Sequence, residues 1–119
     1  MISDTTSFGG LPPGKYKTHI GGEVVLTKEG RLHLADNEKL LAGSAKSILF
    51  GVNKILSNNL LPVRKAWEAA SLHPSQYLNL HDRGVINEGK RADFVLLEKI
   101  GNNLVPITTV LNGDIVYRK

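Results

Sequence analysis

The sequence predicts an α+β domain, because three stretches carry helical spacing while the remainder reads as short strands set apart by turn residues. The order strengthens this: loop, hairpin, helices and strands come in blocks rather than alternating. Blocks of that kind give an α+β layout or the tail of a larger α/β protein. The composition agrees, since 119 residues with 41% hydrophobic and 22% charged side chains suffice for one small domain with a core.

Residues 1–22 are expected to form a long loop. Gly9, Gly10, Pro12, Pro13 and Gly14 break helices and strands alike, and a loop of that length in so small a domain is usually functional or belongs to something larger. Residues 23–27 and 31–34 alternate in strand fashion around Lys28, Glu29 and Gly30, which predicts a hairpin. A second loop over 35–43 leads to Ser44, a good N-cap. Ala45, Ile48, Leu49, Val52, Ile55 and Leu56 then fall on one helical face, up to Asn58 and Asn59. Pro62 suits the first turn of a second helix, with Val63, Ala66, Trp67 and Ala70 facing inward. His73 and Pro74 interrupt, and a short third helix is expected over 75–80. Beyond Gly84 the period becomes that of strands, at 85–86, 92–97, 104–111 and 114–118, the last two joined by an Asn112-Gly113 hairpin turn.

Charge and residue usage exclude several function classes. The net charge of +4 is scattered, with small local concentrations such as Lys15 and Lys17, Lys90 and Arg91, and Arg118 and Lys119. Nucleic-acid binders gather such charge into a stripe interleaved with stacking aromatics, and aromatic residues are only 6% here, so no nucleic-acid partner is expected. Cysteine is absent, which rules out disulfides and thiolate metal sites and suits a reducing cytoplasm. No secretory leader is read at the start, and no apolar run approaches the length needed to cross a bilayer, so no membrane partner is expected either. The four histidines, His19, His33, His73 and His81, form no close pair such as His-x-His. They are read as structural or solvated.

Two segments carry the candidate chemistry, and a third is structural. Asp4 follows a short apolar start, Met1 and Ile2; a carboxylate there can accept a proton from water and return it to a leaving amine, although taken alone it reads as a solvated group at a frayed end. The run Leu41, Ala42, Gly43, Ser44 is expected to be a small-residue loop opening a helix, where free backbone N–H groups can meet an acyl oxygen or an anion. Gly84-Val85-Ile86 and the run from Gly89 to Leu97, with Lys90-Arg91-Ala92-Asp93-Phe94-Val95, are assigned structure, as the entry into a buried strand.

Taken in order, these segments resemble the end of the amidohydrolase superfamily. They are Ser3-Asp4, the Gly/Pro loop, the hairpin, Leu41-Ala42-Gly43-Ser44, Ala69-Ala70-Ser71, His73-Pro74, Leu78-Asn79-Leu80, the Gly84 to Val95 pattern and Asn112-Gly113. The Gly-x-x-Ala-Asp pattern ending at Asp93 is shared by many amidohydrolases. The Leu-Ala-Gly-Ser run, at its distance from Asp4, is similar to that of the N-acetylglucosamine-6-phosphate deacetylase family.

The resemblance implies a parent enzyme of amino-sugar catabolism with a metal-dependent (β/α)8 barrel and a small β-sandwich built from both chain ends. Residues 1–83 would be the C-terminal end of the barrel, where catalytic groups sit at strand ends, and residues 84–119 the C-terminal strands of the sandwich. Asp4 would be the catalytic base and then acid, and Leu41, Ala42 and Gly43 would contact substrate. The divalent metal, zinc or iron, would be held by a Glu and two His of the parent's earlier strands, with no metal ligand in these residues. The implied reaction is hydrolysis of the acetamide of N-acetylglucosamine 6-phosphate to acetate and glucosamine 6-phosphate. Family members often carry Asp-Ala where this chain has Asp4-Thr5, which leaves N-acetylgalactosamine 6-phosphate open as the sugar. Because the pattern opens in its middle, the chain is read as a C-terminal fragment, inactive alone, whose partners are the missing barrel region and further copies of itself. A dihydroorotase-like or aminoacylase-like parent, or a non-catalytic binding or assembly module, stays open as an alternative.

Overall fold

The computed structural model describes all residues, 1–119. Its contacts divide it into two compact units, one of Ile2–Phe50 and one of Gly51–Lys119 together with Met1. This division after Phe50 differs from the 83/84 boundary drawn from the sequence, which concerns the layers of a parent enzyme. No helix is long and apolar enough to cross a membrane.

The first unit is a four-stranded antiparallel meander of β1 (Gly14–Lys17), β2 (Glu23–Leu26), β3 (Arg31–Leu34) and β4 (Leu41–Ser44), in that spatial order. The expected hairpin is present. Gly30, at φ 75°, closes its turn with N–H bonds from Gly30 to the Thr27 carbonyl and from Thr27 to the Arg31 carbonyl. Cross-strand pairing sets Tyr16 opposite Val24, Val24 opposite Leu34 and Leu26 opposite Leu32, so one face collects the apolar side chains. Val24, Leu26 and Leu32 are 1%, 4% and 1% exposed, and Phe8, Tyr16, Leu34, Ala42 and Ala45 pack around them. Burying each of the three aliphatic side chains contributes about 1.5–3 kcal/mol.

Two expectations are corrected in this unit. Residues 14–17 are a strand inside the expected loop: Tyr16 is the one large apolar residue there, too few to show a period, yet its ring packs on Phe8 with centroids 5.6 Å apart. Leu41–Ser44 is a strand rather than a helix-opening loop, and the first helix starts only at Ile48. Pairing with β3 and the packing of Ala42 on the core override the small-residue signal. Ser44 therefore caps no helix; its hydroxyl accepts the Lys46 N–H at 3.2 Å.

The second unit holds α1 (Ile48–Ser57) from Gly51 onward, then α2 (Val63–Ala70) and α3 (Leu72–Tyr77). An antiparallel meander of β5 (Phe94–Ile100), β6 (Asn103–Leu111) and β7 (Asp114–Arg118) completes it. Pro62 stands as the N-cap of α2 rather than within its first turn. His73 and Pro74 lie in the first turn of α3 instead of interrupting it, a place where proline's missing N–H costs nothing. Val85 and Ile86 form no strand. Asn112 and Gly113, at φ 53° and 90°, make the expected hairpin turn, both residues left-handed as a type I′ turn requires.

Side chains rather than further strands finish this second sheet. β7 pairs with only Thr108, Thr109, Val110 and Leu111 of β6. At Leu104 the Asn53 carboxamide stands in for a neighbouring strand, donating to the Leu104 carbonyl at 3.0 Å and accepting its N–H at 2.8 Å. Asp93 accepts the Asn112 N–H at 2.7 Å and pairs with the Arg91 guanidinium at 3.1 Å, tying the start of β5 to the hairpin tip.

Candidate functional site

The candidate residues Asp4, Leu41, Ala42 and Gly43 all lie in the first unit. Asp4 is exposed, and its backbone sits at φ 52°, a left-handed conformation uncommon for a residue with a Cβ. The residues after it dock on the end of β4. Thr5 and Ser44 form an isolated parallel bridge, the Thr6 N–H donates to the Ser44 carbonyl at 2.8 Å, and the Thr6 hydroxyl donates to the same carbonyl at 2.9 Å. The Thr5 hydroxyl donates to the Lys46 carbonyl. Ser3 supports the turn by accepting the Thr5 N–H at 3.4 Å.

On β4, Leu41 is exposed, Ala42 packs on the core, and Gly43 sits at φ 119°. An open groove of about 400 Å³ is lined by Leu41, Gly43, Ser44, Ala45 and Lys46 together with Gly30, Arg31 and Leu32. Both cations beside it are fastened to backbone oxygen: Lys46 donates to the Glu29 carbonyl and Arg31 to the Glu38 carbonyl. The Lys46 ammonium also lies 4.8 Å from the centre of the Phe50 ring. A backbone hydrogen bond at Glu29 holds its carboxyl below the usual glutamate range, with the Thr27 hydroxyl and then the Lys46 charge adding to it.

The four histidines are dispersed. His19, His73 and His81 are exposed, and the half-buried His33 places Nδ1 2.8 Å from the Leu34 carbonyl. No three histidine, aspartate or glutamate side chains converge. The expected cradle of free helix-start N–H groups at 41–44 is replaced by a strand. The family resemblance points to Asp4 and to the 41–43 run, but not to Thr5 and Thr6, which dock on the end of β4. The only trace they leave in the sequence is a pair of β-branched hydroxyl residues directly after Asp4.

A model of the amidohydrolase family matches residues 21–116. The chain belongs to the amidohydrolase family. Among its relatives, the N-acetylglucosamine-6-phosphate deacetylase of Danio rerio is 31% identical over 120 residues, which is 100% of this chain and 28% of that protein. The human protein of the same name is 29% identical over 119 residues, again 28% of its length. The solved N-acetylglucosamine-6-phosphate deacetylase of Thermotoga maritima superposes with a TM-score of 0.73 at 32% identity, covering 98% of this chain and 30% of that one. This amidohydrolase chain thus spans less than a third of the length of these relatives.

Proposed function

We propose that this chain is the C-terminal part of a sugar-phosphate deacetylase that hydrolyses N-acetylglucosamine 6-phosphate to acetate and glucosamine 6-phosphate. What supports it is the near-complete match of the chain to proteins of that name, together with an exposed Asp4 directly before Thr5 and Thr6, which dock on Ser44 at the end of the Leu41–Ser44 strand. Residues 1–83 are the end of the barrel and residues 84–119 the closing strands of the sandwich. Apolar side chains left at the surface, such as Ile86, Leu96 and Ile115, support the reading that it self-associates.

The chemistry assigned to these residues is proton transfer. A water oxygen bonds to the acetamide carbon while the Asp4 carboxylate takes one of its protons. The tetrahedral intermediate then collapses with cleavage of the C–N bond, and Asp4 returns the proton to the departing sugar nitrogen. Leu41, Ala42 and Gly43 border the sugar and fix its approach. Amidohydrolases are generally metal-dependent, but the residues present here do not fit a metal, since no three suitable side chains converge. No step is assigned through one, and the chain by itself is expected to be inactive.

The test replaces the corresponding 30% of the Thermotoga maritima deacetylase with this chain and measures acetate release. The proposal expects turnover of N-acetylglucosamine 6-phosphate in preference to an N-acyl amino acid or dihydroorotate. A folded graft that prefers either of those would move the assignment to another amidohydrolase. N-acetylgalactosamine 6-phosphate, run alongside, decides the sugar.

A further inference from the structure

We propose that Thr5 and Thr6 are positioning residues that fix Asp4 for proton transfer, with Gly9 and Gly43 as the glycines that let them do so. This deepens the deacetylase reading and rests on Asp4 being its proton-transfer group.

The first observation is where left-handed backbone occurs. Four residues other than glycine have positive φ: Asp4, Asn59, Asn79 and Asn112. Asn59 and Asn79 lie just past the ends of α1 and α3, and Asn112 lies in a hairpin turn, all places where asparagine commonly takes this conformation. Asp4, a residue type that also enters this region more readily than most, closes no helix and turns no hairpin; it stands directly before the two threonines that dock on Ser44 and Lys46.

The second observation is how completely those residues are held. Each threonine is held on both branches of its side chain. The Thr5 hydroxyl bonds to the Lys46 carbonyl and its methyl faces Gly9; the Thr6 hydroxyl bonds to the Ser44 carbonyl and its methyl faces Gly43. A Cβ at Gly43 would come within 2.6 Å of Thr6 Cγ2, and one at Gly9 would overlap Thr5 Cγ2. Gly9 N–H in turn bonds to the Thr6 carbonyl at 3.1 Å, and Phe8 packs on the core. β-Branching leaves few rotamers, so two gripped threonines leave the peptide that follows Asp4 little freedom at the end of β4. A proton-transfer group needs that order, because small misplacements from productive geometry cost large factors in rate.

The discriminating variants are Thr6→Val, which keeps the shape and methyl but loses the hydroxyl, and Thr6→Ser, which keeps the hydroxyl. In the 119-residue chain, amide exchange at Thr6 is expected to rise about fivefold in Thr6→Val and by less in Thr6→Ser, which gives up only the methyl contact. In the graft, Thr6→Val is expected to lower kcat by roughly ten- to a hundredfold with KM unchanged, while Thr6→Ser retains most of the rate. Equal behaviour of the two variants in exchange, or a loss in Thr6→Val carried by KM alone, overturns the proposal. An unsubstituted graft that folds but releases no acetate counts against the deacetylase reading on which the catalytic half rests, and the exchange experiment then decides only whether the Thr6 hydroxyl holds the segment after Asp4.

Discussion

The two compact units use one device, an antiparallel meander, and bury it to different degrees. In the Ile2–Phe50 unit three strand residues are almost wholly enclosed, and the loop carrying Phe8 covers them. In the Gly51–Lys119 unit the sheet has one buried strand residue, Val110, while Leu96, Ile100, Leu111, Ile115, Val116 and Tyr117 are roughly half exposed. All five residues of β7 are exposed, and Val116 is a bulge residue with no β6 partner. Bulges blunt an edge strand without removing its apolar side chains from water. The first sheet thus holds itself together, and the second is tied by polar links at its margins.

The largest expected effect follows from that contrast. Leu32→Ala should destabilise the first unit by about 2–5 kcal/mol in urea unfolding followed by circular dichroism. Ile115→Ala on β7 should stay within about 0.5 kcal/mol. Comparable losses would erase the difference between the sheets. Next comes the margin of the second sheet. Asn53→Ala leaves the Leu104 N–H and carbonyl without their partners and should cost about 1–3 kcal/mol; an unchanged midpoint would mean that water replaces the carboxamide without loss.

A smaller effect lies on α2. Hydrogen bonds from Lys65 and then Arg64 hold the Glu68 carboxyl below the usual glutamate range. A carboxyl whose pKa is depressed by folding adds stability that is full above its unfolded pKa and fades as pH falls through the folded one. Glu68→Gln should therefore flatten the acid limb of a thermal-midpoint profile below the usual glutamate range. The change should be slight and salt-sensitive, because the Arg64 and Lys65 side chains are 85% and 63% exposed. Smallest in stability is Val116→Lys, which should leave unfolding nearly unaltered while reducing self-association in sedimentation. Unchanged association would move the contact away from β7.

Much of this architecture could be read from the chain. The 23–34 hairpin, the α1 face through Val52, the helix over 63–70 and the Asn112-Gly113 turn all rest on local patterns that tertiary packing reinforces. The misses occurred where long-range contacts decide. Residues 14–17 become a strand because β2 and Phe8 are there to receive Tyr16. The run 41–44 becomes a strand because β3 pairs with it. Asp4 and the 41–43 run are singled out only through the family resemblance, and Thr5 and Thr6 are not singled out at all, since hydroxyl bonds to carbonyls 38 residues or more away leave no local period. The clamp from Asn53 to Leu104, 51 residues apart, is hidden for the same reason.

The most direct measurement is acetate release from N-acetylglucosamine 6-phosphate by the graft with Asp4 intact and with Asp4→Asn, both checked for folding. Asp4→Asn is expected to lower kcat by about 10²–10⁴-fold, with KM little altered. A folded Asp4→Asn graft that turns over as fast as its parent would contradict that expectation, and would take the proton-transfer role away from Asp4.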